Sequence, residues 1–304
     1  MQLRHLEYFI ALAAERHFRR AAAACNITQS TLSAAIRQLE EEIGAPLIER
    51  DSRFKGFTNE GQTLLAWARR IVADRDSLDQ EITAMRQGLS GRLRLGVIPT
   101  ALPTIALLTT PFHKAYPNVT LQVVSRTSNE IQRALDEFQL DAGVTYLDNE
   151  PLHSVRVQEL YAEHYILLTP VDGPFAGKKS VTWRDAAETP LCLLTQDMQN
   201  RRIIDGLFHA AGKSSRALVE TNSVMTLCSH IRTGVWSSVF PHNFLWVFGT
   251  PAGMLALPIV KPAKTHSVGL VVRDQDPTSP LVRALEAVAR KAGIAKQLAR
   301  AGSA

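Results

Sequence analysis

The period of the apolar positions changes along the chain, and each change marks a new element. Residues 2 to 15 place Leu3, Leu6, Phe9, Ile10, Leu12 and Ala13 on one helical face, which predicts an amphipathic helix that covers its neighbours. Ala21 to Ala24 form a run without side-chain bulk, suited to close packing against another helix. Cys25-Asn26-Ile27-Thr28 breaks the run: Asn26 tolerates left-handed backbone and Thr28 can cap the helix that follows. Beyond it Leu32, Ala35 or Ile36, and Leu39 return at helical spacing, while Gln29, Ser30, Thr31, Ser33 and Arg37 fall at the start and on the other face. The stretch from Phe18 to Glu42 therefore predicts a helix-turn-helix, with an ordinary helical hairpin as the alternative. In such a motif the polar residues of the second helix meet base edges and phosphates in the major groove.

The flanks favour the helix-turn-helix. Gly44 and Pro46 stop the second helix. Leu47 to Arg50 and Phe54 to Thr58 are short strand-like pieces around Asp51-Ser52-Arg53, a hairpin able to lay Arg50, Arg53 and Lys55 along a phosphate backbone. Thr58 can cap a long helix running to about Gln87. Within it Leu64, Ala68, Ile71, Arg75, Leu78, Ile82, Met85 and Leu89 alternate spacings of four and three, a coiled-coil seam that only Arg75 interrupts. Gly88-Leu89-Ser90-Gly91 then reads as a hinge and a domain boundary.

After the hinge the texture becomes strand, helix, strand. Strands are expected at Leu93 to Ile98, Val119 to Val124 and Ala142 to Thr145, with helices from about Leu102 to Ala115 and Ser128 to Phe138, and the long crossovers imply a parallel sheet. His164 to Leu168 is a further apolar strand. A second set follows: strands at Leu191 to Leu194, Ala217 to Glu220 and Ser237 to Phe240, with helices from about Asn200 to Ala211 and Ser223 to Thr233. A last strand, Val268 to Val272, precedes a closing helix from Ser279 to about Lys291. Two similar halves suggest two subdomains with a cleft between them.

Composition refines this picture in two places. The 304 residues carry a net charge of +5, yet across the first sixty the bases are matched one for one by acids, so the case for nucleic acid rests on local placement and not on net charge. There Arg19, Arg20, Arg37, Arg50, Arg53 and Lys55 can share a face while Glu40 to Glu42 sit at the far end of the second helix. The three cysteines, Cys25, Cys192 and Cys228, lack metal-ligand spacing and fit buried, reduced thiols. No basic segment leads into an apolar run at the N-terminus, and no stretch of about 20 apolar residues could span a membrane; a cytoplasmic protein is expected.

At this point the first ninety or so residues resemble the winged helix-turn-helix and linker of a LysR-type transcriptional regulator. The resemblance is carried by Leu6 and Phe9, Phe18 with Ala21 to Ala23, Thr28-Gln29-Ser30, Leu32-Ser33, Ile36, Leu39-Glu40, Gly44, Leu47, Arg50, Arg53, Thr58 and Gly61. Ala34 departs from it, standing where many relatives carry a polar residue, and Lys55 stands where the wing is commonly apolar. The resemblance implies a winged helix-turn-helix over 1–58, a dimerising linker helix and hinge over 59–90, and a two-subdomain α/β effector domain of the periplasmic-binding type over 91–304. It also implies that the chain returns, with subdomain I at about 91–164 and 266–304 and subdomain II at about 165–265. The partners implied are double-stranded promoter DNA, a small-molecule effector, further copies of the chain as a dimer of dimers, and RNA polymerase as a further candidate; no cofactor, metal or membrane is expected.

No Gly-rich phosphate loop, nucleophile elbow or paired histidines at metal spacing occurs, so catalysis is the weaker reading. Binding is the stronger one, and its candidates stand where strands open into helices: Thr100 and Ala101, Thr127 and Ser128, Gln196 and Asn200, Asn222 and Ser223. Helix N-termini converging on one crevice hold a small anion, and Arg201 and Arg202 could add a bidentate clamp on a carboxylate; formate is one candidate. Taken singly these residues are helix caps, and their recurrence at four junctions is what suggests a pocket. A solute-binding protein, or an enzyme fused to a DNA-binding head, are the alternatives from other classes.

Overall fold

A computed structural model describes residues 1–50 and 54–301, which fall into two compact units, Met1–Gly88 and Leu89–Ala304. The first unit opens with α1 (Leu3–Glu15), α2 (Phe18–Ala24) and α3 (Gln29–Ile43). Asn26 holds the turn between α2 and α3 with a left-handed φ of 55°, and the Thr28 hydroxyl accepts the Thr31 amide at 3.2 Å to cap α3. Gly44, at φ +78°, ends that helix. The wing follows as β1 (Ile48–Arg50) and β2 (Phe54–Phe57), paired antiparallel with Ile48 opposite Phe57.

Apolar spacing dictates the packing of this unit. Leu6, Phe9, Leu32, Ile36, Leu39 and Leu47 are buried together, and Phe57 meets Phe9 edge to face at 4.9 Å, which fixes the wing to α1. The long helix α4 (Asn59–Gln87) has 29 residues, a length of about 44 Å. Thr58 caps it by accepting the Gly61 amide at 3.0 Å. The apolar stripe of α4 changes character midway. Leu64 and Ala68 are buried in the unit, whereas Leu78, Ile82 and Met85 are 59, 43 and 79% exposed. Arg75, the interruption in the seam, sits at the changeover and pairs with Glu7 of α1 at 2.6 Å.

The second unit is built as two lobes. In the first lobe β3 (Gly91–Val97), a short turn of helix at Leu102–Thr104, α5 (Ala106–Ala115), β4 (Val119–Ser125), α6 (Ser128–Asp136), β5 (Ala142–Tyr146) and β6 (Val155–Glu163) succeed one another. The chain then crosses into the second lobe with β7 (Tyr165–Pro170), β8 (Val181–Thr182), α7 (Trp183–Ala186), β9 (Leu191–Leu194), α8 (Gln199–Ala210), β10 (Ala217–Thr221), α9 (Val224–Ile231), β11 (Ser238–Pro241), α10 (Phe244–Phe248) and β12 (Met254–Val260). It returns through β13 (His266–Arg273), α11 (Pro280–Ala292) and α12 (Ile294–Ala301), with β13 pairing between β5 and β6.

The five-stranded sheet has the order β4-β3-β5-β13-β6, and the other lobe pairs β11-β7-β12-β8 beside β10-β9. Within the five-stranded sheet the expectation of parallel strands holds for β4, β3 and β5, since β13 runs antiparallel to both its neighbours; in the other lobe β10 and β9 are parallel as well. Two long strands, β6 and β12, were not predicted. β6 lies at a sheet edge, where Arg156, Gln158, Glu159 and Glu163 interrupt its apolar residues, and the apolar run of β12 is broken by Pro258, a residue rare inside strands. Among the described residues no helix is long and apolar enough to cross a membrane.

Gly61 is the tightest point of the first unit. A Cβ there would lie 2.0 Å from the Leu47 carbonyl oxygen, so Gly61→Ala must push α4 off the wing. We expect a loss of about 1–3 kcal/mol or more in chemical denaturation. Gly56→Ala, whose Cβ meets only Glu49 Oε2 at 3.5 Å, is the control and changes stability little.

Candidate DNA-reading and effector sites

On the first unit, Gln29, Ser30, Thr31, Ala34 and Arg37 are exposed along α3, with Ser33 half-buried beside them. The opposite stripe, Leu32, Ala35, Ile36 and Leu39, is in the core, so amphipathicity alone orients the polar face outward. The hydroxyls of Ser30 and Thr31 each lie 2.8 Å from Thr28 Oγ1, which gathers three hydroxyls at the start of the helix. Arg19 on α2 and Lys55 on the wing are also exposed. The side chain of Arg50 and all of Arg53 lie outside the described residues. Glu40, at the far end of α3, turns inward to accept the Leu47 amide at 3.0 Å.

In the second unit a small cavity opens where the lobes meet, walled by Thr100, Thr127, Ser128 and Tyr146 on one side and by Met198, Gln199 and Asn200 on the other. Of the ten residues expected at an effector site, Thr100, Thr127, Ser128 and Asn200 line it. Its free interior is about 10 Å³, room for about one water: the lobes are closed on each other. The α6 helix enters with a capping box, in which Thr127 accepts the Glu130 amide and the Glu130 carboxylate accepts the Thr127 amide. The α8 helix differs. Met198 stands at its cap position with no side-chain acceptor, so its first amides keep their partial positive charge uncompensated.

The other six do not line the cavity. Ala101 is buried, with its amide donating to Ile98. Gln196 and Asn222 are exposed, and Ser223 caps α9 by accepting the Thr226 amide. The two arginines correct the clamp expected from the sequence. Arg201 is 3% exposed and its guanidinium is taken by Asp205 at 2.8 Å, Glu220 at 2.7 Å and the Leu194 carbonyl at 2.7 Å. Arg202 makes the bidentate pair, but with Glu150 of the first lobe, at 2.6 and 2.8 Å. Carboxylates of the chain itself occupy both forks, so neither is left for a ligand.

Behind the cavity lies a polar cluster that sequence reasoning missed. Glu163, the last residue of β6, is fully buried; its carboxylate faces Tyr146 Oη at 2.7 Å, Asn243 Nδ2 at 3.2 Å and Tyr161 Oη at 3.5 Å. Asn200 Nδ2 donates to Tyr146 Oη at 2.9 Å, carrying the network into the second lobe. Burial raises the Glu163 pKa to about 8. Next to it His164 and His242 stack with ring centroids 3.8 Å apart, and burial, then the neighbouring His164, push His242 down to about 4. The available signal was positional and covers Glu163 alone, which stands at the first passage between the lobes. Among the described residues no three His, Cys, Asp or Glu gather to hold a metal ion.

A winged head with a polar reading helix, and a two-lobed clamp that closes on a small cavity, together define a ligand-responsive DNA-binding protein. Family comparison gives the same result. The profile of the LysR substrate binding domain matches residues 86–293, and that of the bacterial regulatory helix-turn-helix protein, lysR family, matches residues 3–62. The chain belongs to the LysR family of transcriptional regulators.

Among its relatives, the DNA-binding transcriptional dual regulator OxyR of Escherichia coli K12 is 32% identical over 282 residues, 92% of this chain and 91% of that protein. The HTH-type transcriptional regulator YnfL of the same strain is 32% identical over 251 residues, 80% of this chain and 83% of that protein. A full-length single-residue variant of OxyR from Pseudomonas aeruginosa has the same fold with a TM-score of 0.76 at 25% identity, covering 97% of each chain. CbnR in complex with its target DNA follows at a TM-score of 0.68 and 20% identity, covering 96% of this chain and 100% of that one. The relatives are transcriptional regulators and not enzymes, and so is this protein.

Two expectations follow from the cluster and the arginines. The folded-state pKa of Glu163 is raised, so its stabilising contribution is complete below the unfolded value near 4.5 and is lost as pH rises through about 8. Glu163→Gln should therefore melt above the native protein at neutral pH, with the gap closing below about pH 5. Arg201→Met, without any ligand present, should lower stability by about 1–3 kcal/mol in denaturant titrations, because it strips charged hydrogen bonds from Asp205 and Glu220.

Proposed function

We propose that this regulator reads promoter DNA through Gln29, Ser30, Thr31, Ser33 and Arg37, holds phosphates through Arg19, Arg50, Arg53 and Lys55, and answers to a small anion in the interlobe cavity. The observation that carries the effector reading is the N-terminus of α8, which opens on the cavity with Met198 where a capping side chain would stand. An anion there would be held by free amides and oriented by Thr100, Ser128 and Asn200. Occupancy needs the lobes to part, since the closed cavity has no room for more than about one water. The effector can move the DNA-binding equilibrium only by its differential affinity for the two arrangements, typically about 1–3 kcal/mol.

The exposed half of the α4 stripe supports a linker-mediated dimer, and a dimer of dimers on an interrupted inverted repeat in the cytoplasm, with RNA polymerase as a further partner, extends that reading. The division into a head over 1–58, a linker over 59–90 and an effector domain over 91–304 belongs to the same proposal.

Several relatives bear the name hydrogen peroxide-inducible genes activator. The thiols here do not favour a peroxide response. Burial pushes the Cys192 thiol up to about 11 and raises Cys228 as well, while Cys25 is raised by burial and then by Glu7. Peroxide reacts with thiolate, which these surroundings suppress. A bound small molecule is the better reading.

The DNA side is tested by titrating the full-length protein with upstream promoter DNA at several salt concentrations. Lys55→Ala should weaken binding to all sequences and make the slope of log affinity against log salt shallower by about 0.9. Gln29→Ala should leave the slope alone and reduce discrimination between operator and mutated operator by about 1–3 kcal/mol. An unchanged slope for Lys55→Ala would remove it from the phosphate contacts.

A further inference from the structure

The buried Glu163 carboxyl has a consequence for the kind of molecule the cavity accepts. Its surroundings are the hydroxyls of Tyr146 on β5, Tyr161 on β6 and Tyr165 on β7, the Asn243 amide ahead of α10, and the carboxylate of Asp148, which lies after β5. Three imidazoles are close. His164 and His242 are stacked on each other and shifted downward, hence neutral at and above neutral pH, and His266 faces Asp148 at 3.2 Å. Among the described residues no lysine or arginine pairs with Glu163. A bare carboxylate without a cation in such a place is costly, so the group keeps its proton.

The hydrogen bonds say which oxygen carries that proton. The Asn243 amide nitrogen can only donate, and its two hydrogens face Oε1 at 3.2 Å, the Thr100 carbonyl and Tyr161 Oη, which favours Oε1 as the accepting oxygen. The proton therefore sits on Oε2, against Tyr146 Oη at 2.7 Å. Tyr146 Oη then accepts from Glu163 and also from Asn200 Nδ2 at 2.9 Å, which fills its two lone pairs. Its own hydrogen has to point elsewhere. Two hydroxyls remain beside it, Tyr165 Oη within the cluster and Thr100 Oγ1 at 3.5 Å, and the second is a long contact on the cavity wall that a ligand oxygen can displace.

We propose that Glu163 sets the polarity of the effector cavity: held neutral, it turns the Tyr146 hydroxyl into a donor toward the cavity, which selects a ligand presenting a carboxylate oxygen between Tyr146, Thr100 and Asn200. Glu163 touches no ligand and acts as a positioning residue through Tyr146. An ionised Glu163 would take the Tyr146 hydrogen back and leave an oxygen lone pair facing the cavity. The inference rests on reading the cavity as the effector site.

The test uses full-length protein and two probes, formate and acetate, titrated calorimetrically into the native chain, Glu163→Gln and Tyr146→Phe between about pH 6.5 and 9.5, a range that spans the ionisation of Glu163. Native binding should fall as pH rises through about 8. Glu163→Gln should bind at least as well and without that fall, because its amide donates permanently to Tyr146 while its carbonyl accepts from Asn243. Tyr146→Phe, confirmed folded by its melting curve, should lose roughly tenfold or more in affinity at neutral pH, the loss of one hydrogen bond to a charged group. Infrared spectra of carbon-13-labelled glutamate, compared with Glu163→Gln, should show one protonated carboxyl at neutral pH. A native affinity that is flat or rising through pH 8, a Tyr146→Phe affinity equal to native, or an ionised Glu163 at neutral pH overturns the inference alone. Binding of neither probe to the native protein at any pH overturns the reading of the cavity and the inference with it.

Discussion

Each passage of the chain between two lobes carries backbone and side-chain polar groups out of one core and into another, and every one that is buried on the way must find a partner. In this regulator that constraint is met at Glu163. The residue closes β6 immediately before the first crossing, and Asn243 reaches it from the second lobe, its two amide hydrogens shared among Glu163, the Thr100 carbonyl and Tyr161 Oη. Asn200 completes the bridge through Tyr146. The lobes are thus joined behind the cavity by donors and acceptors, and such contacts are fixed in direction and number. Moving one donor leaves a buried group unsatisfied, which costs more than the bond itself contributes. A contact of this kind favours discrete arrangements over a continuum of partly open ones.

The front of the cavity is closed by the first turns of a single helix. From α8, Gln199 Nε2 donates to the Asp148 carbonyl at 3.1 Å, Asn200 to Tyr146, and Arg202 to Glu150. All three partners lie on β5 or the loop after it. One rigid helix therefore carries both the amides that would meet an anion and the side chains that hold the lobes shut. A ligand that engages the α8 amides and competes for Asn200 or Tyr146 acts on the closure directly, with no relay through distant residues. The free energy available for a response is the difference between what the ligand gains there and what the three latching contacts give up.

Local rules were legible in the sequence. The caps at Thr28 and Thr58, the left-handed turn at Asn26, the helical stripes of α1 and α3 and the glycine that ends α4 all follow from chemistry within a few residues, and each has its structural counterpart. What stayed hidden depends on partners distant along the chain. Arg201 and Arg202 look like a free clamp because Glu220 and Glu150, 19 and 52 positions away, cannot be seen to approach. Tyr146 was missed by one residue at the end of its strand. Glu163 and Asn243 were missed because their meeting across 80 positions is created by the lobe geometry alone.

The same separation between local and distant logic explains the seam of α4. Its heptad-like spacing is uniform, yet the stripe is used in two ways: Leu64 and Ala68 complete the core of the head, and Leu78, Ile82 and Met85 stay bare. The charge that breaks the pattern marks where one use gives way to the other. Arg75 reaches back to Glu7 of α1 and also pairs with Asp76 at 2.8 Å, so it closes the polar rim of the head at the point where the helix leaves it. Removing the arginine's charge would extend the apolar stripe without interruption and favour sliding of one seam along another. In the proposed linker-mediated dimer, Arg75 would therefore fix the register as well as the rim, and register sets how far apart two reading helices stand on DNA.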